Sequence, residues 1–316
     1  MRYLTEKYTA TGHAGCNRGF TLVEILIVMG ILITVISAVL VLYDRQAKMT
    51  DIEEETVEVQ QNLRIAVDSI IKDIREAGFL VPGGTNPVAG ISNGGGAGGS
   101  DTLTINVASA NAVYAVIDSE LTTDVSSSTP ITFTVSSSLD AGSFAANDLV
   151  RIIDPMNRTQ PLSITYTVSS VDTSTPSITV VPSGSGSNVL FKKGYIIART
   201  GDTTSEQYPN TILYCLGPAT GCGSGVSGCP SGQTCLFRIV NGSASEDSIV
   251  ATNMADLQFR YILDGSTSEV DSTTSLSQIR AIRVTLSGTT TSARTQATMG
   301  RQRTRELTTV VKIRNR

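Results

Sequence analysis

The run Ile25 to Tyr43, ILIVMGILITVISAVLVLY, contains no charged side chain, and such a run needs an apolar partner or an apolar solvent. Counted from Phe20 as a helix, it is about 36 Å long, more than the ~30 Å hydrocarbon core of a bilayer. The segment 20–43 therefore predicts a membrane helix. Its flanks orient it: Arg2, Lys7 and Arg18 precede it against Glu6 alone. The positive-inside bias then keeps residues 1–19 cytoplasmic and carries everything after Tyr43 across the membrane in a single pass.

A secretory signal peptide has its small-residue cleavage site after the apolar run, and Tyr43-Asp44-Arg45-Gln46 offers none. Gly19 instead stands directly before the run, so cleavage there leaves the helix on the product. Arg18-Gly19-Phe20-Thr21-Leu22-Val23-Glu24 followed by an apolar run resembles the signature of type IV prepilins and the related pseudopilins. The resemblance implies a leader over residues 1–19, cleavage after Gly19 by a prepilin peptidase and N-methylation of Phe20. It also implies a helix that serves as the packing core of a filament. A lipoprotein reading of His13-Ala14-Gly15-Cys16 lacks the apolar segment that should precede the cysteine.

Glu24 is the one carboxylate near the start of the apolar segment. A charge at mid-membrane costs about 3 kcal/mol on insertion scales and persists when it is shallow or partnered. One reading is snorkelling to the interface beside the positive end of the helix dipole. The resemblance implies another: Glu24 receives the α-amino group of a neighbouring subunit, which offsets desolvation and sets the axial register.

Residues 44–79 continue the helix with an amphipathic pattern, in which Leu63, Val67, Ile70, Ile74 and Ala77 recur at three- and four-residue steps. Gly78 reads as the C-terminal cap, and no proline lies between Thr21 and Ala77. A helix over that span is about 85 Å long. Its apolar stripe predicts core packing against a globular head.

The remainder, 80–316, reads as a β-rich head. PGGTNPVAGISNGGGAGGS predicts a flexible polar loop. Beyond it, strands are expected at Thr102–Val107, Ile131–Val135, Leu149–Ile153, Ile164–Val171, Ile178–Val181 and Tyr195–Arg199. Further strands are expected at Thr211–Cys215, Cys235–Val240, Leu257–Ile262, Ile279–Leu286 and Leu307–Ile313. The alternation from Ile279 to Val284 suits an antiparallel sheet half covered by the helix. The predicted class is α+β, a long N-terminal helix on an antiparallel head. One large domain and a sheet with a strand-rich insertion are both open.

A second resemblance spans more of the chain. QQNLRIAVDSIIKDIREAGF, GGSDTLTI, NDLVRIID, TCLFRIV, IVATNMADLQFRYILDG, IRAIRVTL and TTVVKIRNR are similar, in order, to the pattern of W-type minor pilins (PilW family). J-type pseudopilins of type II secretion are more distant relatives. The resemblance implies a low-copy subunit of a priming complex at a filament tip. Its implied partners are other minor and major pilins, the prepilin peptidase, the inner-membrane assembly platform and inner-membrane lipid. It implies residence in the inner membrane with the head periplasmic, then in the filament at the cell surface.

Removing the leader leaves Cys215, Cys222, Cys229 and Cys235 in a Gly- and Ser-rich segment, 215–235. An even count in a loop beyond the cytoplasm predicts two disulfides, with three connectivities open. A bridge closing a loop of about 15 residues contributes about 3 kcal/mol. A four-cysteine zinc site is the rival, although paired C-x-x-C knuckles are absent. His13 lies in the leader, so the processed chain has no histidine for a triad, a metal or a general base. The carboxylates read as scattered solvated surface, and the glycine-rich stretch lacks the Lys-Ser/Thr ending of a phosphate loop. Asp264, Glu269 and Asp271 form a weak calcium candidate against a solvated-turn reading. No enzyme activity, cofactor or small-molecule substrate is expected.

Without Arg2, Lys7, Arg18 and Glu6, the 24 basic and 28 acidic residues become 21 and 27, so general nucleic-acid affinity is not expected. Arg294, Arg301, Arg303, Arg305, Lys312, Arg314 and Arg316 nevertheless cluster against Glu306. They read as the wet face of an edge strand, with contact to a neighbouring pilin or to DNA as alternatives. Two further readings come from other classes. A tethered receptor or adhesin would keep an unprocessed N-terminus, and a redox or metal protein would keep free thiols or zinc.

Overall fold

The computed structural model describes residues 20–94, 99–202, 205–217, 222, 228–242, 248–290 and 303–315. A 55-residue helix, Leu22–Glu76, precedes a β-rich region of antiparallel sheets, so the class is α+β as the patterning predicts. The chain divides into two units, residues 1–53 and 54–316.

In the first unit the helix starts where the Thr21 hydroxyl accepts the Glu24 backbone N–H at 3.3 Å, a side-chain cap on an otherwise orphaned donor. The run Phe20–Tyr43 is exposed throughout. Its polar side chains satisfy themselves: Thr34 donates to the Ile31 carbonyl at 2.7 Å and Ser37 to the Ile33 carbonyl at 2.8 Å.

In the second unit, Val59, Leu63, Ala66, Val67, Ile70, Ile74 and Ala77 are buried, which includes every residue of the expected stripe. Each large apolar side chain removed from water contributes about 1.5–3 kcal/mol before entropy. The stripe shares one core with two sheets. The first orders Val88–Ser92, Thr102–Val107, Asn210–Gly217, Cys235–Val240 and Ile249–Ala251, and contributes Ile105, Tyr214 and Leu236. The other orders Glu269–Val270, Met254–Leu263, Ile279–Thr289 and Thr304–Lys312, and contributes Phe259, Ile282, Val284 and Leu286. Gly288 explains how closely the helix approaches this sheet, since a Cβ there would stand 2.8 Å from Val59 Cγ1.

Between two strands of the first sheet, Thr102–Val107 and Asn210–Gly217, the chain builds a third sheet, of seven strands. Its main path runs Ser205–Glu206, Ile196–Asp202, Asp148–Ile153, Tyr166–Asp172, Ser177–Pro182, Ile131–Thr134, and Tyr114–Val116 pairs with Ile196–Asp202. It has its own core around Phe133, Val150, Tyr166, Ile178, Val180 and Phe191. The chain leaves the first sheet at Val107 and returns at Asn210, and those two residues face each other across an antiparallel pair. The third sheet is thus a strand-rich insertion between two paired strands of the first, within one compact unit.

The glycine-rich stretch is not wholly a flexible loop. Val88–Ser92 pairs with Thr102–Val107 and buries Val88, a partnership that local composition conceals. Leu121–Val125 and Gly186–Phe191 also form strands and pair with each other, although their Thr, Asp, Gly, Ser and Asn content masks the pattern in the sequence. The helix ends at Glu76, and Gly78 follows at φ +77° with its N–H donated to the Asn106 carbonyl at 2.9 Å. A Cβ on Gly78 would lie 1.9 Å from the Asn315 carbonyl oxygen, so both backbone angle and space require glycine.

Candidate functional site

Phe20, Thr21 and Glu24 form the exposed first turn of the helix, while Gly19, Cys16 and His13 lie outside the described residues. Among the described residues Glu24 has no ion pair, and its carboxylate stands where the helix dipole is positive. Thr21, part of the signature, caps this turn through its hydroxyl, a role that the Thr-x-x-Glu spacing of a capping box announces. Chemically, this turn offers a bulky apolar residue, Phe20, a capped helix start and, among the described residues, one carboxylate without an ion pair. The exposed apolar surface behind it is suited to lipid or to other helices.

In the head, Cys215 is bonded to Cys222 and Cys229 to Cys235, each pair with Cα atoms 6.0 Å apart. Neighbour-to-neighbour pairing closes sequence separations of 7 and 6, shorter than the loops weighed from the sequence. The unfolded-state constraint is correspondingly lower, about 2.4 kcal/mol per bridge. Cys215, Cys229 and Cys235 are buried in a small cluster with Phe237 and Ile239, which ties the bridges to the first sheet. All four sulfurs are used in bridges.

The acidic loop does not gather its carboxylates. Glu269 pairs with Arg283 at 2.5 Å, and Asp271 pairs with Arg260 at 3.2 Å. Among the described residues no group of three or more His, Cys, Asp or Glu is placed to hold a metal. Of the basic cluster, Arg305 and Lys312 lie on the terminal strand, with Arg303 before it and Arg314 after it; Arg294, Arg301 and Arg316 lie outside the described residues.

Not every carboxylate is solvated surface. Asp73 is buried on the helix and accepts from Arg238 Nε at 2.6 Å and from the Tyr214 hydroxyl at 2.7 Å. Arg238 also donates to the Ala110 carbonyl at 2.6 Å, and Ser69 shares a hydrogen bond with Tyr214 at 3.0 Å. Burial alone would lower the Arg238 pKa, but the Asp73 carboxylate outweighs it and holds the guanidinium above its ordinary value. Burial, with the same carboxylate, pushes the Tyr214 phenol up. A sequence signal existed: Asp73 lies three residues after Ile70, within the stripe. Arg238 also borders an open polar cleft of about 550 Å³ with Asn111, Arg199, Asp202 and Gln207. Arg199 is itself paired with Asp148 at 3.6 Å, so the cleft offers neutralised cations and amides.

No curated protein and no solved structure matches the chain. Residues 15–40 do match a known family, the prokaryotic N-terminal methylation motif. Proteins carrying this motif are structural, not enzymatic, and the motif together with the apolar helix points to membrane anchoring. The match covers the junction and most of the apolar run, and it marks a type IV pilin-like protein processed by a prepilin peptidase and assembled with other pilins.

Proposed function

We propose that the chain is a minor pilin of the W type, acting in a priming complex at the tip of a type IV pilus. Its leader, residues 1–19, is removed after Gly19, and Phe20 becomes the methylated first residue. The segment 20–43 crosses the inner membrane with its N-terminal side cytoplasmic, then enters the filament core. Residues 44–79 carry the helix to the head, and 80–316 form the head itself, periplasmic before assembly and at the cell surface after it. The observation that supports this reading best is the coincidence of the motif at 15–40 with an exposed apolar run, Phe20–Tyr43, whose first turn holds a carboxylate without an ion pair among the described residues. Such a helix is stable in lipid or in a bundle of like helices, and its carboxylate has a natural partner in the α-amino group of the next subunit.

Paired substitutions separate the steps. Gly19→Trp should abolish processing, whereas Glu24→Ala should leave processing intact and lower recovery in sheared filaments at least tenfold. Normal filament recovery of the unprocessed Gly19→Trp chain would remove the proposal.

A further inference from the structure

The three larger sheets end mostly in short strands: Val88–Ser92, Ile249–Ala251, Ser205–Glu206, Ile131–Thr134 and Glu269–Val270 have between two and five residues. The exception is Thr304–Lys312, a nine-residue terminal strand without proline or glycine, paired with Ile279–Thr289 in unbroken register. Long regular edges invite pairing with another chain, and proteins ordinarily shorten, bulge or cover them.

The free groups of this edge can be assigned. Ile313 donates its N–H to the Arg280 carbonyl, and the Arg303 carbonyl accepts from Thr290 N–H, so odd-numbered residues turn their backbone toward the neighbouring strand. By antiparallel alternation, Thr304, Glu306, Thr308, Val310 and Lys312 turn their N–H and C=O groups outward. None of these outward backbone groups has a partner among the described residues. Beside the edge runs a groove of about 740 Å³, walled on the helix side by Val57, Gln61, Arg64 and Asp68 and on the strand side by Arg305 and Leu307. Leu307 and Val310 keep 38% and 45% of their surface exposed. Arg305, Lys312 and Arg314 have no ion pair among the described residues, against Glu306 alone on the strand.

We infer that Thr304–Lys312 is a strand-addition site, and that its occupant is an acidic, apolar-alternating extended segment from the head of another pilin subunit. An added strand takes up the outward amides and carbonyls, its apolar side chains enter the groove beside Leu307, and its carboxylates meet Arg305 and Arg64. Backbone pairing supplies affinity, and the basic edge selects the acidic partner. The inference rests on the assembly reading above.

The test uses the full chain in its native membranes. Val310→Pro removes an outward N–H while leaving the ladder to the inner strand intact, a position where an edge strand tolerates proline. Val310→Thr keeps that N–H, and Arg305→Glu reverses the charge. Expected are at least tenfold lower co-isolation with processed pilin subunits for Val310→Pro and Arg305→Glu, and wild-type recovery for Val310→Thr. A photocrosslinking residue at position 310 should yield an adduct on an acidic strand of another pilin head. Wild-type co-isolation of Arg305→Glu, or an adduct on lipid, DNA or no pilin head, would overturn the inference; these readouts stand even should Val310→Pro misfold. Should the wild-type chain itself co-isolate with no processed pilin, the assembly reading fails instead.

Discussion

Replacing Asp73 by alanine withdraws the shared acceptor of a buried network. Arg238 loses its hydrogen bonds at 2.6 and 3.4 Å, and Tyr214 loses one at 2.7 Å but keeps Ser69. Removing one partner of a buried ion pair costs about 3–5 kcal/mol, because the remaining charge stays desolvated. The Arg238 side chain keeps 21% of its surface exposed and can lean toward the polar cleft, which sets the lower end, about 3 kcal/mol. At about 2–4 °C per kcal/mol for a domain of this size, the melting temperature should fall by roughly 6–12 °C. Near-ultraviolet circular dichroism of the full chain in detergent micelles would follow the head, since the tyrosines of the core report tertiary packing. The double variant Asp73→Leu with Arg238→Met removes both charges and should lose less than Asp73→Ala alone. A loss below about 1 kcal/mol for Asp73→Ala would refute the view that this pair fastens helix to sheet.

Three further outcomes are expected. Gly78→Ala places a side chain at φ +77° and 1.9 Å from the Asn315 oxygen, and should destabilise by about 1–3 kcal/mol in the same melts. Tyr166→Phe removes a fully buried hydroxyl that has no hydrogen-bond partner among the described residues, so stability should be unchanged or higher by about 1 kcal/mol; a clear loss would contradict the packing of the inserted sheet. Burial raises the Glu76 carboxyl pKa above the ordinary 4.5 and Asp73 adds to the rise, with Lys72 opposing. A raised pKa gives stability that is full below 4.5 and lost as pH climbs through the folded value. Glu76→Gln should therefore be more stable than wild type at neutral pH, with the gap closing on acidification toward 4.5.

Much of the helix was legible because its information is local. A charge-free run, a stripe at three- and four-residue steps and a glycine after the last turn each act within a few residues of themselves. Strands rich in β-branched residues, such as Ile279–Thr289, were legible for the same reason. Pairing was not: that Val107 faces Asn210, and that the chain between them builds a separate sheet, is long-range information. Val88–Ser92 was hidden because its glycine reads as loop until a partner strand is present. Asp73 was misjudged because a carboxylate in an apolar stripe finds its reason only in Arg238 from a distant strand. The cysteine count announced two bridges, but not the choice among three pairings: the first sheet sets Cys215 and Cys235 on adjacent strands, yet each is bonded to its neighbour in sequence, Cys222 and Cys229. At the junction the sequence was most explicit, since a protease and a bilayer read linear features.

The measurement closest to the central claim is mass spectrometry of sheared surface filaments and of membranes, searched for a peptide that begins at methylated Phe20. The account predicts that peptide in the sheared filaments. Its confinement to membranes would contradict filament residence and favour a secretion pseudopilin, and Phe20 still joined to Gly19 in both fractions would contradict the account as a whole.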